Sequence, residues 1–247
     1  MNNKLIKSPA FYYKVTGDWA LFTDPIMKLS GEKFTYSIPT YQALKGITES
    51  IYWKPTIIIY IDRVRIMNPI SIETKDIRLF KYNDSKKADL ARYTYLRNVE
   101  YQIQAHFEFN MNRPDLAKDR NIKKHYAIMQ RCIERGGRRD IFLGTRECQA
   151  YVEPCKFGEG SSYYDTQKDD RIFGTMLHGF DYPDETGDKK LKVRLWHPIM
   201  HEGIVDFIRP EECKVHKDLH ELEAKKFDNS NLQNVDEVYA GLLGDDN

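Results

Sequence analysis

A chain of 247 residues with 41% hydrophobic and 30% charged residues and a formal net charge of +1 is not a disordered polyelectrolyte. Its longest purely apolar run, Ile57–Ile61, is far too short for a membrane span, and the opening "MNNKLIKSPAFYYKV" has no apolar segment of signal-peptide length. The four cysteines, Cys132, Cys148, Cys155 and Cys213, lack C-x-x-C spacing, so free thiols and a cytoplasmic location are expected, with no metal site.

In chain order, "FYYKVTGDWALF" (11–22) opens as a strand, with a turn signal at Gly17-Asp18. The connection that follows, to about Ser37, is long enough to suggest a functional loop. Ala43, Leu44, Ile47 and Ile51 then lie at helical spacing between Thr40, a candidate N-cap, and Pro55. "TIIIYIDRVRIMNPI" (56–70) predicts a strand, buried first and alternating later. The clearest strand is 94–110: Val99, Tyr101, Ile103, Ala105, Phe107 and Phe109 alternate with Glu100, Gln102, Gln104, His106 and Glu108. This places His106 on a polar, solvent-facing side. A second helix follows, with Ile122, Tyr126, Met129, Cys132 and Ile133 as its apolar stripe and Gly136-Gly137 as its stop. "RRDIFLGTRECQAYVEP" predicts the next strand, completing a β–α–β–β–α–β order, the ferredoxin-like pattern. After a loop at 158–170, "RIFGTMLHGFDYP", "KLKVRLWHPIM" and "GIVDFIRP" predict short antiparallel strands. The expected fold is therefore α+β. A ferredoxin-like (RRM-like) domain over 1–154 precedes a smaller antiparallel β subdomain over 155–215 and an acidic tail over 216–247.

The near-neutral net charge hides a basic middle. From Arg113 to Arg146 there are ten Lys/Arg against four Asp/Glu, and from Lys217 to Asn247 three against eight. Such asymmetry points to a polyanion site on one face. Within "RNIKKHYAIMQR" (120–131), Arg120, Lys123, Lys124 and Arg131 surround His125 with no acid between them. His125 falls off the apolar stripe, so it is expected on the outer flank of the helix, where its replacement would cost folding little. Like charges around it would depress its pKa and attract phosphate, which suits proton transfer beside a scissile phosphate; the alternative is an ordinary surface histidine on a basic helix. "SIYWKP" places Tyr52 at the end of the first helix, where its hydroxyl can carry a proton given cationic neighbours, or where it and Trp53 simply pack the helix onto the sheet. In "GGRRD", glycine amides and arginine forks are able to hold phosphate oxygens. The pairs His197–His201 and His216–His220 lack H-E-x-x-H spacing, and no Walker loop, nucleophile elbow or dinucleotide fingerprint is present.

"GDWALFTDP", "YSIPTYQALKGITESIYWKP", "HFEFN", "RPDLAKDRNIKKHYAIMQRCIERGGRRDIFLGTRECQAYVEPC" and "HGFDYPDE", in this order over about 11–215, resemble one family: the type I-C (Dvulg) CRISPR-associated endoribonucleases, Cas protein family five, d variant. The resemblance implies an N-terminal ferredoxin-like domain, a C-terminal β subdomain, and metal-free cleavage of CRISPR precursor RNA at the base of the repeat hairpin. It also implies that the protein keeps its product as a subunit of the interference complex. The implied catalytic group is Tyr52 with Lys124 and His125: His125 as general acid/base, Lys124 stabilising the phosphorane, Tyr52 handling a second proton or positioning the nucleophile. Which of Tyr52 and His125 is base and which acid stays open. The product would be a 2′,3′-cyclic phosphate. Lys123, Arg131, Arg138, Arg139 and Arg146 are the candidate RNA contacts. The partners implied are the repeat hairpin, the mature guide RNA, sister type I-C subunits and target DNA, with no cofactor and no membrane. The alternative is a structural RNA-binding subunit without chemistry of its own.

Overall fold

The alternation along 94–110 builds the centre of the molecule. A computed structural model describes residues 7–25, 32–81, 84–224, 234–236 and 238–239. In it, strands β1 (Phe11–Ala20), β3 (Ile57–Ile66), β5 (Asp84–Phe109) and β7 (Gln149–Pro154) form the middle of one sheet in the order β7-β1-β5-β3, each antiparallel to its neighbour. Helix α1 (Tyr41–Ile51) joins β1 to β3, and α2 (Ile122–Glu134) joins β5 to β7. That connectivity and strand order are those of a ferredoxin-like fold.

The register explains the core. Phe11, Tyr13 and Val15 lie opposite Ala105, Ile103 and Tyr101, and Ile59 and Ile61 lie opposite Phe107 and Ala105. All are buried. Against this face pack Leu44, Ile47 and Ile51 of α1 and Met129, Cys132 and Ile133 of α2. Thr40 caps α1 as expected, its hydroxyl accepting from the Ala43 amide at 3.1 Å. Asn121 caps α2 in the same way, accepting from the Lys124 amide. Gly137, at φ +108°, reverses the chain after α2 and donates to the Cys132 carbonyl.

The other sheet face departs from expectation. Gln102, His106 and Glu108 are buried, so His106 is not an exposed strand histidine. The later chain folds back over them. Gln102 exchanges hydrogen bonds with the Glu159 carbonyl and the Gly158 amide, and Arg209 grips Glu108 with both terminal nitrogens at 3.0 and 3.3 Å. His106 stacks on Tyr60, with its Nδ1 2.8 Å from Asp62. Alternation of polarity identified the two faces correctly; it does not reveal which is covered.

The segment expected as one strand after Gly137 is two, β6 (Ile141–Phe142) and β7, hinged at Gly144. Strands β8 (Arg171–Ile172), β11 (Ile199–His201) and β12 (Ile204–Asp206) extend the large sheet beyond β3, while β9 (Met176–Asp181), β10 (Lys190–Trp196) and β13 (Val215–Glu221) form a second, smaller sheet. The small sheet docks on α1: His178 stacks on Tyr41 at 4.2 Å, and Lys45 pairs with Glu185 of the short helix α3 (Pro183–Thr186). Strand β2 (Lys33–Phe34) pairs parallel with β5, and a long hairpin of β4 (Ile72–Lys81) with the first half of β5 pairs over ten positions and leaves Ile72, Leu79 and Leu90 exposed. Most of the acidic tail beyond Glu221 lies outside the described residues.

Candidate active site

Tyr52 and His125, 73 residues apart, meet where the C-terminus of α1 faces the first turn of α2. Tyr52 closes α1 as its C-cap, its amide donating to the Thr48 carbonyl, and Pro55 prevents the helix from continuing. The Tyr52 hydroxyl lies 2.8 Å from His125 Nδ1. His125 Nε2 lies 2.9 Å from the Asp119 carbonyl oxygen. A carbonyl only accepts, so Nε2 carries the proton, and Nδ1 of the neutral ring accepts from the Tyr52 hydroxyl.

His125 is fully buried, which corrects its expected place on the outer flank of α2. Phe107 and Phe109 approach its ring edge-on, and Tyr52 covers a third side. Its pKa is depressed, as expected, but mainly by burial; the cations Lys124 and Lys54 are minor causes, and the Asp119 carbonyl and carboxylate oppose them. Tyr52 is 2% exposed, and burial with the nearby Asp119 pushes its hydroxyl up to about 12 despite Arg138. At neutral pH the pair is a protonated tyrosine donating to a neutral histidine.

Asp119 is the residue that sequence reasoning missed. It ends a short 3-10 turn (Pro114–Asp119) just before the Asn121 cap. Its carboxylate pairs closely with the Lys124 ammonium, accepts from the Thr56 hydroxyl at 2.8 Å, and lies 3.8 Å from Lys54 Nζ and 3.4 Å from His125 Nε2. Hydrogen bonds from Lys124 and Thr56 hold that carboxyl down at about 2. Asp119 was one of four acids in a basic segment, and no spacing rule ties it to Thr56 or Lys54. Only the meeting of the α1–β3 connection with the 3-10 turn before α2 does.

Lys124 and Lys54 keep their ammonium groups partly in solvent, so the cluster has a buried Tyr–His half and an open cationic half around one carboxylate. Of the candidate RNA contacts, Arg138 and Arg139 line a groove beside this cluster, with Arg135, Gln149 and Tyr151. Arg138 also lies over the Tyr52 ring at 5.8 Å, and its amide donates to the Ile51 carbonyl. Lys123 and Arg131 are exposed on α2 and Arg146 on the turn after β6; none of the three lines the groove. Among the described residues no group of three or more His, Cys, Asp or Glu is arranged to hold a metal ion, and no helix is long and apolar enough to cross a membrane.

These features define a ferredoxin-like α+β protein with a tyrosine–histidine pair set between cationic surfaces. The CRISPR-associated protein family Cas_Cas5d (Cas_Cas5) matches residues 12–208, and the chain belongs to that family. It is 28% identical over 196 residues to the CRISPR pre-crRNA endoribonuclease Cas5d of Mannheimia succiniciproducens, covering 68% of this chain and 83% of that one. To the protein of the same name from Thermus thermophilus it is 26% identical over 151 residues, 57% of this chain and 62% of that one. Among solved structures, a CRISPR-associated protein superposes with a TM-score of 0.71 at 35% identity, over 87% of this chain and all of the other. A functionally uncharacterized Streptococcus mutans protein superposes at 0.70 and 39% with the same coverage.

Proposed function

We propose that the chain is an endoribonuclease of CRISPR precursor RNA, cutting at the base of the repeat hairpin by attack of a ribose 2′-hydroxyl, and that it stays bound to its product as a subunit of an interference complex. The observation that carries this reading is the 2.8 Å Tyr52–His125 hydrogen bond set against the Lys124–Asp119 pair. The curated relatives, both named as pre-crRNA endoribonucleases, support it.

The proton path follows from the tautomer. The 2′-hydroxyl gives its proton to the Tyr52 oxygen while the tyrosine proton passes to His125 Nδ1. The imidazolium so formed keeps Nε2–H on the Asp119 backbone carbonyl, which stays in place when the carboxylate gives way to the phosphate. The 2′-oxygen bonds to phosphorus, the 5′-oxygen leaves, and the Lys124 ammonium supplies its proton. The products are a 2′,3′-cyclic phosphate and a 5′-hydroxyl. Asp119 holds the place of the scissile phosphate between Lys54 and Lys124, an anion between the same two cations. RNA entry displaces that carboxylate and uncovers Tyr52.

The burial of Tyr52 and His125 favours a second reading, a structural subunit that holds RNA without cutting it. One experiment separates the two. The purified full chain is incubated, in excess chelator, with labelled repeat RNA and with the same RNA carrying a single 2′-deoxy residue upstream of the cut. The endoribonuclease reading expects cleavage of the first only, with equal binding of both. Binding of both without cleavage leaves the structural subunit, and cleavage of the 2′-deoxy RNA means attack by water.

A further inference from the structure

The groove beside Tyr52 has more of a nucleotide site than its arginines alone supply. Strand β7 alternates strictly: Ala150 and Val152 are buried, while Gln149 and Tyr151 point outward. Tyr151 is 64% exposed, and among the described residues its ring stacks on no other ring and its hydroxyl bonds to nothing. Arg135, Arg138 and Arg139 face it across an open space of about 360 Å³. None of the three has an acidic partner among the described residues, although this protein pairs many of its other arginines: Arg65 with Asp165, Arg113 with Asp115, Arg194 with Asp181, Arg209 with Glu108. Asp140 is the groove's one acid.

An exposed tyrosine ring offers a face on which a base can stack, and unpaired guanidinium forks attract anions of planar or tetrahedral geometry. One unpaired nucleotide supplies both, a base for the ring and phosphates for the forks. Gln149 lines the same groove, and its amide can both donate to and accept from a base edge. The groove is also placed for it. The turn after α2 is sharp, with Gly136 and Gly137 at φ +79° and +108°, and it brings Arg138 onto both the groove wall and the Tyr52 ring. A nucleotide seated here therefore lies next to the phosphate that the 2′-hydroxyl would attack once Tyr52 takes its proton.

We infer that Tyr151, with Arg135, Arg139 and Gln149, forms a pocket for one single-stranded RNA nucleotide flanking the cut, stacking its base and holding its phosphate. This assigns a specificity site within the proposed RNA cleavage and rests on that reading. An acidic peptide would also suit the arginines, but it has no use for an uncovered aromatic face.

The test uses the full chain and a short single-stranded RNA carrying one 2-aminopurine, whose fluorescence falls when the base stacks. The unmodified protein should quench it on binding. Tyr151→Ala should abolish the quench and weaken binding roughly tenfold to a hundredfold, with the salt dependence unchanged, while Tyr151→Phe keeps both. Arg139→Ala should keep the quench and lower the salt slope by about one. Tyr151 is exposed, so melting temperatures should not move. Quenching that survives Tyr151→Ala, or binding of an acidic peptide in place of RNA, overturns the assignment. The cleavage assay on repeat RNA is read separately. Tyr151-dependent stacking without cleavage refutes the nuclease reading and leaves the pocket standing. Cleavage with Tyr151→Ala binding unchanged does the reverse.

Discussion

Tyr52 and His125 are better separated by removing the hydroxyl than by removing the ring. His125→Ala empties a site enclosed by Phe107, Phe109 and Tyr52 and should cost roughly 2–4 kcal/mol of stability, as other large-to-small core changes do. That variant loses folding and chemistry together. Tyr52→Phe removes one oxygen and should cost only about 1 kcal/mol, while slowing single-turnover cleavage by about 10²–10⁴-fold if the hydroxyl relays the proton. A thermal melt beside the cleavage time course checks both, and a Tyr52→Phe protein that cuts at the normal rate removes the relay. Asp119 makes a pH prediction at the same scale. Its folded pKa, about 2, lies below the ordinary carboxylate value, so its stabilisation is complete above about pH 4 and is lost as pH falls toward 2. Asp119→Asn should therefore lower the melting temperature at neutral pH, and the gap to the unmodified protein should close between pH 4 and 2. A gap that stays constant over that range would show that the carboxylate charge contributes nothing.

Among the elements, the β6–β7 turn is the most constrained. Gly144 sits at φ +96°, and a Cβ there would lie 2.0 Å from the Leu21 carbonyl oxygen. The turn lies against the end of β1, where the Leu21 amide donates to Leu143. Backbone cannot yield as a side chain tip does, so Gly144→Ala should destabilise by about 3 kcal/mol or more, measured by urea unfolding. A variant of normal stability would mean that this turn opens without consequence for the sheet. Helix α1 is constrained differently, with partners on two sides. Its apolar face meets the large sheet through Leu44, Ile47 and Ile51, while Tyr41, Gln42 and Lys45 receive the small sheet and α3. The Tyr52 end of the site therefore hangs on a helix held by both sheets.

For the molecule as a whole, the junction between the sheets carries its own titration. His178 Nε2 donates to the Ile208 carbonyl, and Nδ1 faces Arg194 Nε at 3.4 Å. Burial depresses its pKa to about 4. The unfolded chain takes up a proton near pH 6.5 and the folded one does not until about 4. Stability is thus full above 6.5 and falls through that window by on the order of 3 kcal/mol. His125, also depressed by burial, adds a loss of the same sign. His178→Gln should be less stable at pH 8 and should lose less on acidification to pH 4 than the unmodified chain. Parallel melting profiles for the two proteins would exclude His178 as the source.

Local pattern sufficed for much of this architecture. The 94–110 alternation, the Thr40 and Gly136-Gly137 helix limits and the β–α–β–β–α–β order all depend on backbone geometry and near neighbours, which a sequence carries directly. Gly137 stops α2 whatever surrounds it, and Tyr52 and His125 stood out as candidates through the family resemblance, local sequence alone leaving each an ordinary structural role. Their environment was not. His125 lies off the apolar stripe of α2 and His106 on the polar face of β5, so periodicity placed both in solvent. Yet Tyr52 with the β5 aromatics encloses one, and the Asp62–Arg209 surroundings enclose the other. Burial depends on what a distant segment brings to a surface, and amphipathic period describes only the surface. The same reason hid Asp119, whose partners Thr56 and Lys54 lie more than sixty residues away and meet it only when the segment between α1 and β3 comes against the 3-10 turn before α2.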